Sequence, residues 1–185
     1  MKDTAAKLSP VSVSLHWLVG LAIIGMLALG IYMDENEAYE LYDLHKSIGV
    51  VILPIAMLRV YWRLVNRWPL ALSDDGAALR FIAHLVHWIL ILATLLMPIS
   101  GAVMSAVGGH GLPLFGLELI AENPDPANPG QALAYSEAIA GFAHETHEIV
   151  ANLVIVVLLL HIAGAVKHHV INKDGTLRRM LGREV

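Results

Sequence analysis

The stretch "HEIVANLVIVVLLLH", residues 147 to 161, opens and closes on histidine. Only Glu148 and Asn152 interrupt its apolar or small residues. Imidazole is a metal ligand, a proton carrier and a hydrogen-bond partner. Inside an apolar helix it is costly, and its presence there points to function. Fourteen residues advance a helix by about 21 Å and fall about 40° short of four full turns. His147 and His161 therefore point from nearly the same face at opposite depths. His16, His45, His84 and His87 also lie within or at the edge of apolar runs. The chain has ten histidines and no cysteine, which excludes disulfides, thiolate metal sites and cysteine-attached haem.

Lipid is the solvent these residues imply. Of 185 residues 57% are hydrophobic and only 15% charged, and the mean hydropathy is +0.64. A soluble domain carries about a quarter charged residues. Four segments are long enough to cross a bilayer, which takes about 20 residues. They run from Val11 to Met33, Leu44 to Val65, Leu79 to Val107 and Phe142 to His168. The fold class is thus all-α, an integral membrane four-helix bundle, with residues 1–185 as a single domain. The first segment has no small-residue cleavage site and is expected to be retained. Lys2, Lys7, Arg59, Arg63, Arg67, Arg80, Lys167, Lys173, Arg178, Arg179 and Arg183 fall on one side of this topology, and Lys46 alone on the other. The positive side is cytoplasmic, which predicts both termini inside. The net charge of -4 and the lack of a basic run do not point to nucleic acid, and no such partner is expected. The "ENPDPANPG" stretch, residues 122 to 130, predicts a turn-rich outer connection. Residues 131–145 are expected to form a short surface helix before the fourth span. Pro54 and Pro98 are expected to kink the second and third helices.

These elements pair the histidines by depth. His16 and His161 lie near the cytoplasmic ends of the first and fourth helices. His45 and His147 lie near the outer ends of the second and fourth. The result is two bis-imidazole sites, His16 with His161 and His45 with His147. A flat macrocycle held between facing helices suits such a bundle. Gly20, Gly49 and Ala151 would let its edge approach. A single membrane histidine is explained as well by ordinary helix–helix hydrogen bonding. Four at matched depths favour the macrocycle, although spacing alone does not identify iron porphyrin. Opposed pairs fit a tetrahedral zinc or copper site poorly.

The segments "SLHWLVG" (14–20), "LHKSIGV" (44–50), "AHLVHW" (83–88), "HEIVANL" with "LLH" (147–161) and "HHVINKDGTLRRM" (168–180) resemble the bacterial cytochrome b561 family. Its relatives include the cytochrome b subunits of nickel-iron hydrogenases. The resemblance covers nearly the whole chain and is weakest in the outer loops. It implies a dihaem membrane cytochrome of the bacterial inner membrane, with two haem b groups ligated by His16, His161, His45 and His147. It also implies an oxidoreductase that exchanges electrons with the ubiquinone pool, and one branch oxidises periplasmic superoxide. The alternative is a membrane-anchor cytochrome b subunit relaying electrons from a periplasmic dehydrogenase or hydrogenase. A transition-metal carrier is a third reading.

Other residues carry secondary expectations. His84 and His87 share a helix face and are read as contacts to a haem propionate or a quinone, or as ordinary helix–helix bonds. His144 competes with His147 as the outer ligand, and the fourteen-residue spacing favours His147. Arg59, Arg63 and Arg67 recur every four residues and are expected to face lipid phosphates, unless one holds a haem propionate. Trp17, Trp62, Trp68 and Trp88 read as an aromatic belt. Lys46, next to His45, reads either as a positive entrance for superoxide or as the partner of Asp43 or a propionate. Around it the predicted outer face carries Asp34, Glu35, Glu37, Glu40, Asp43, Glu118, Glu122, Asp125, Glu137, Glu145 and Glu148.

Overall fold

The computed structural model describes residues 2–69, 71–72 and 75–185. Four long helices dominate it: α1 (Pro10–Asn36), α2 (Tyr42–Asn66), α3 (Ala77–Val107) and α4 (Glu137–Val166). Each is long and apolar enough to cross a membrane. Each also outlasts its expected span at one or both ends because local chemistry sets the ends. Ser9 caps α1 by accepting from Ser12 N at 3.2 Å, and Pro10 takes the first helical position, where no N–H is needed. Ser136 caps α4 by accepting from Ile139 N at 3.4 Å. Pro54 and Pro98 lie inside α2 and α3, which run on through them.

The helices run up, down, up and down. α4 packs most extensively along α3, α1 along α2, and α2 along α3. The backbones of α1 and α2 scarcely touch that of α4. Between them the middle of the bundle is filled by Val19, Ile23, Ile52, Ala93, Val150 and Val154. The outward residues stay apolar, with Leu21 60% exposed and Leu159 63% exposed, as a lipid-facing surface requires.

Both termini meet at one end, here the terminal end. Arg179 donates to Ala5 O at 2.8 Å, Val185 N to Ala6 O at 3.0 Å, and Trp17 Nε1 to Met180 O at 2.8 Å. A short helix, α5 (Thr176–Met180), follows a wide turn at Lys167–Asn172. The opposite, hairpin end carries β1 (Leu112–Leu114) and β2 (Leu117–Ile120), an antiparallel pair. Ser47 on α2 binds it, accepting from Phe115 N at 2.9 Å. The expected separate helix over 131–145 is absent. Residues 131–136 are not helical, and from Glu137 the chain is already α4. The Ser136 cap starts the helix there, and nothing interrupts it before the apolar span.

Candidate functional site

Two imidazole pairs stand one above the other along α4. At the terminal end the ring centres of His16 and His161 are 6.1 Å apart, with planes at 53°. At the hairpin end those of His45 and His147 are 6.4 Å apart, with planes at 74°. A metal–imidazole bond of about 2.0 Å, plus roughly 1.1 Å from that nitrogen to the ring centre, places rings on opposite sides of one ion about 6.2 Å apart. Both pairs have the spacing one shared ion would need. In each pair the rings meet while the helix backbones make few contacts, and these four imidazoles would hold a flat group between the helices.

At the hairpin end His147 is oriented from α3. Its Nδ1 lies 3.0 Å from Met97 O and 3.1 Å from Ser100 Oγ. A carbonyl only accepts, so Nδ1 carries the proton and Nε2 keeps its lone pair for a metal. Gly101 lets the ring come this close, since a Cβ there would lie 3.1 Å from His147 Cε1. Gly30 faces His45 less tightly, with 3.6 Å to Cε1. A Cβ at Gly20 would meet nothing within 4 Å, and one at Gly49 only the end of Met26. His45 Nδ1 is buried and has no hydrogen-bond partner among the described residues. That polar atom fits a site whose remaining contacts come from a bound group. His144, three residues earlier on α4, is exposed.

At the terminal end the surroundings are cationic. Arg59 turns inward and its Nη2 donates to His16 Nδ1 at 3.2 Å. Arg63 lies 3.5 Å from Asp3, donates to Arg67 O at 2.8 Å and covers the Trp68 ring at 5.7 Å. Two members of the expected lipid-facing stripe thus serve the bundle interior, because α2 presents that face to α1 and the N-terminal segment. Burial alone would raise the Asp3 carboxyl. Hydrogen bonds from the Ser9 backbone and the Ser12 and Ser9 side chains, with the charge of Arg63, outweigh it and hold Asp3 below the usual carboxylate range.

A third ring, His87, stands 5.1 Å from His161, and its Nδ1 donates to Ala83 O at 2.6 Å. His84 is exposed and meets Trp68 edge-on at 5.9 Å. Trp68 also meets His87, at 5.4 Å. Beside them a cavity of about 320 Å³ is lined by Val60, Arg63, Leu64, Arg67, Trp68, Trp88 and Ile91. Lys46 donates to His110 O at 3.0 Å and lies 4.0 Å from Asp43, with only 16% of its side chain exposed. Its ammonium ties α2 to the loop after α3.

Arg59, Ser100, Met97 and Gly101 are contributors that reading the sequence did not place. The one available signal was the stripe of arginines in an apolar helix, which named Arg59 but not its direction.

The family profile described as prokaryotic cytochrome b561 matches residues 7–183. Cytochrome b561 homolog 2 of Escherichia coli (strain K12) is 33% identical over 98% of this chain and 94% of its own length. A protein of Yersinia pestis described as probable superoxide oxidase CybB is 26% identical over 96% of this chain and 97% of its own. Cytochrome b561 homolog 1 of Escherichia coli (strain K12) is 23% identical over 96% and 98%. The chain belongs to the prokaryotic cytochrome b561 family, multi-pass proteins of the bacterial inner membrane that carry electrons on b-type haem.

Proposed function

We propose that this protein binds two b-type haems, an inner one on His16 and His161 and an outer one on His45 and His147, and delivers electrons to ubiquinone. A b-type haem supplies one-electron exchange between ferric and ferrous iron. The observation that carries the reading is the pair of ring-centre distances, 6.1 Å and 6.4 Å, at two depths of one bundle. The protein's own part is to hold four imidazoles and to keep water out between them. Val19, Ile52, Val150 and Val154 do the latter. The terminal end faces the cytoplasm, because the cations cluster there.

The cavity between α2 and α3 supports a quinone at that end. Its indole and aliphatic walls suit the ring and tail, and its arginines suit the carbonyl oxygens. Trp68 in its wall touches His87, which touches His161.

For the donor we extend the Yersinia pestis relative's description to this chain. Two superoxide ions each lose one electron and leave as dioxygen at the hairpin end. One ubiquinone takes two electrons and two protons and leaves as ubiquinol. Lys46 would stand by the entrance beside His45, although it already holds the His110 carbonyl. A second reading rests on the exposed hairpin, where Phe115 is 64% and Leu117 66% exposed. Those side chains suit a periplasmic dehydrogenase or hydrogenase for which this chain would be the anchor and relay. Purification in mild detergent separates the two, since the second requires a stoichiometric large partner.

The test of direction uses oriented vesicles and a membrane-impermeant donor at the hairpin end. Both haems are reduced in the unmutated protein. In His147→Ala the inner haem stays oxidised. Normal reduction of the inner haem in that variant contradicts the proposal.

A further inference from the structure

We propose that Arg59 is the anion-binding residue of the inner site, and that the anion is a propionate carboxylate of the haem itself. This rests on the assignment of a haem to His16 and His161.

Arg59 lies seven residues before the end of α2, about 10 Å along the axis from it. At that depth a guanidinium without an anion is costly. Among the described residues no carboxylate lies within ion-pair distance of it. Asp3 pairs with Arg63, Asp75 with Lys167 and His168, and Asp174 with His168. The group that receives a hydrogen bond from Arg59 is a neutral imidazole, His16.

That hydrogen bond is itself informative. Arginine only donates, so His16 Nδ1 accepts, and the neutral ring carries its proton on Nε2. A ligating imidazole needs the opposite arrangement, with Nε2 free and Nδ1 donating, as His147 has against Met97 O. Ligation through His16 Nε2 and the present Arg59 contact exclude one another. A carboxylate accepting from Arg59 removes the conflict and neutralises the buried cation in one step. The planar fork of arginine matches a carboxylate with two parallel bonds. Arg63 is already engaged by Asp3, Trp68 and the Arg67 carbonyl. Beside the outer pair the cation Lys46 is already engaged, donating to His110 O at 3.0 Å and lying 4.0 Å from Asp43.

The experiment compares protohaem with protohaem dimethyl ester, in which both carboxylates are capped. The full chain is produced under haem limitation and loaded in detergent, and occupancy of each site is read from the visible bands. The inner site of the unmutated protein should lose about tenfold or more in affinity for the ester relative to protohaem. In Arg59→Gln that ratio should fall to near one, while the outer site's ratio is unchanged. Arg59→Met is a second neutral variant, and filling of the outer site reports that each variant is folded. An inner-site preference in both variants as strong as in the unmutated protein overturns the assignment of Arg59. An inner site of the unmutated protein that takes neither form, while the outer site fills, overturns the underlying haem assignment instead.

Discussion

At the hairpin end His147 donates from Nδ1 to Met97 O, with Ser100 beside it. At the terminal end His16 accepts at the same nitrogen from Arg59. The two pairs have nearly equal ring spacing, so the difference lies in what surrounds them. The outer imidazole is preset for a metal by a carbonyl and a close-packed glycine. The inner one lies beside Arg59, for which we propose a carboxylate partner. If each pair holds a haem, as proposed, the two sites are unequal, and that inequality would give electron flow a direction. Positive charge near an iron favours its ferrous form. The inner haem should have the higher midpoint potential, and electrons entering at the hairpin end should run downhill.

The largest expected effect breaks one site and spares the other. His161→Ala should abolish the inner haem and all ubiquinone reduction, while a hairpin-end donor still reduces the outer haem. Difference spectra and a quinone assay read both. Quinone reduction that survives in His161→Ala would erase the functional distinction between the ends.

Gly101→Ala comes next. Its Cβ would press on His147 at 3.1 Å, so the ring must give by a few tenths of an ångström. We expect partial loss of the outer haem or a shift in its potential alone. Gly30→Ala meets His45 at an ordinary 3.6 Å and should do much less. Equal effects of the two would contradict the account of a tightly held outer imidazole.

The inequality of the sites also bears on what was legible in the sequence. The four helices and the depth matching of His16, His45, His147 and His161 follow from apolar run length and helical repeat, which are local. Arg59 is different. Spacing of four residues shows that Arg59, Arg63 and Arg67 share a face, but only packing shows that α2 turns it toward His16 and Asp3. The contacts of Met97, Ser100 and Gly101 with His147 likewise depend on how α3 lies against α4. The three- and four-residue strands of the hairpin are too short to show a period. The start of α4 at Glu137 is set by the Ser136 cap, which the apolar pattern from Phe142 onward does not reveal.

Redox titration reads the inequality of the two sites as a difference in potential. The inner potential should lie above the outer, and Arg59→Gln should lower the inner one while leaving the outer unchanged. Coincident potentials that do not respond to Arg59→Gln would remove the electrostatic asymmetry.

A smaller effect concerns superoxide. The acids of the hairpin end should repel an anion, and the ammonium of Lys46 is largely covered. Added salt should therefore speed haem reduction by a superoxide pulse, since charges are screened beyond about 8 Å at physiological ionic strength. Lys46→Glu should slow it modestly. Slowing by salt would instead reveal an attractive entrance.

The smallest effect lies at the terminal end. The Asp3 carboxyl is held below its ordinary range, so its stabilising contribution is complete above about pH 4 and is lost as pH falls through the folded value. Asp3→Asn should cost about 1 kcal/mol or less at neutral pH. The gap between variant and unmutated protein should close on acidification, as thermal unfolding across a pH series would show. A gap that persists at low pH would mean that Asp3 contributes by packing instead of charge.

The proposed function turns on two haems bound by two separable histidine pairs. Counting protohaem per chain, by the pyridine haemochrome spectrum of protein quantified independently, tests it most directly. Two haems are expected in the unmutated protein and one in His147→Ala, with the inner haem's bands remaining. One haem per chain without mutation, or two in His147→Ala, would contradict it.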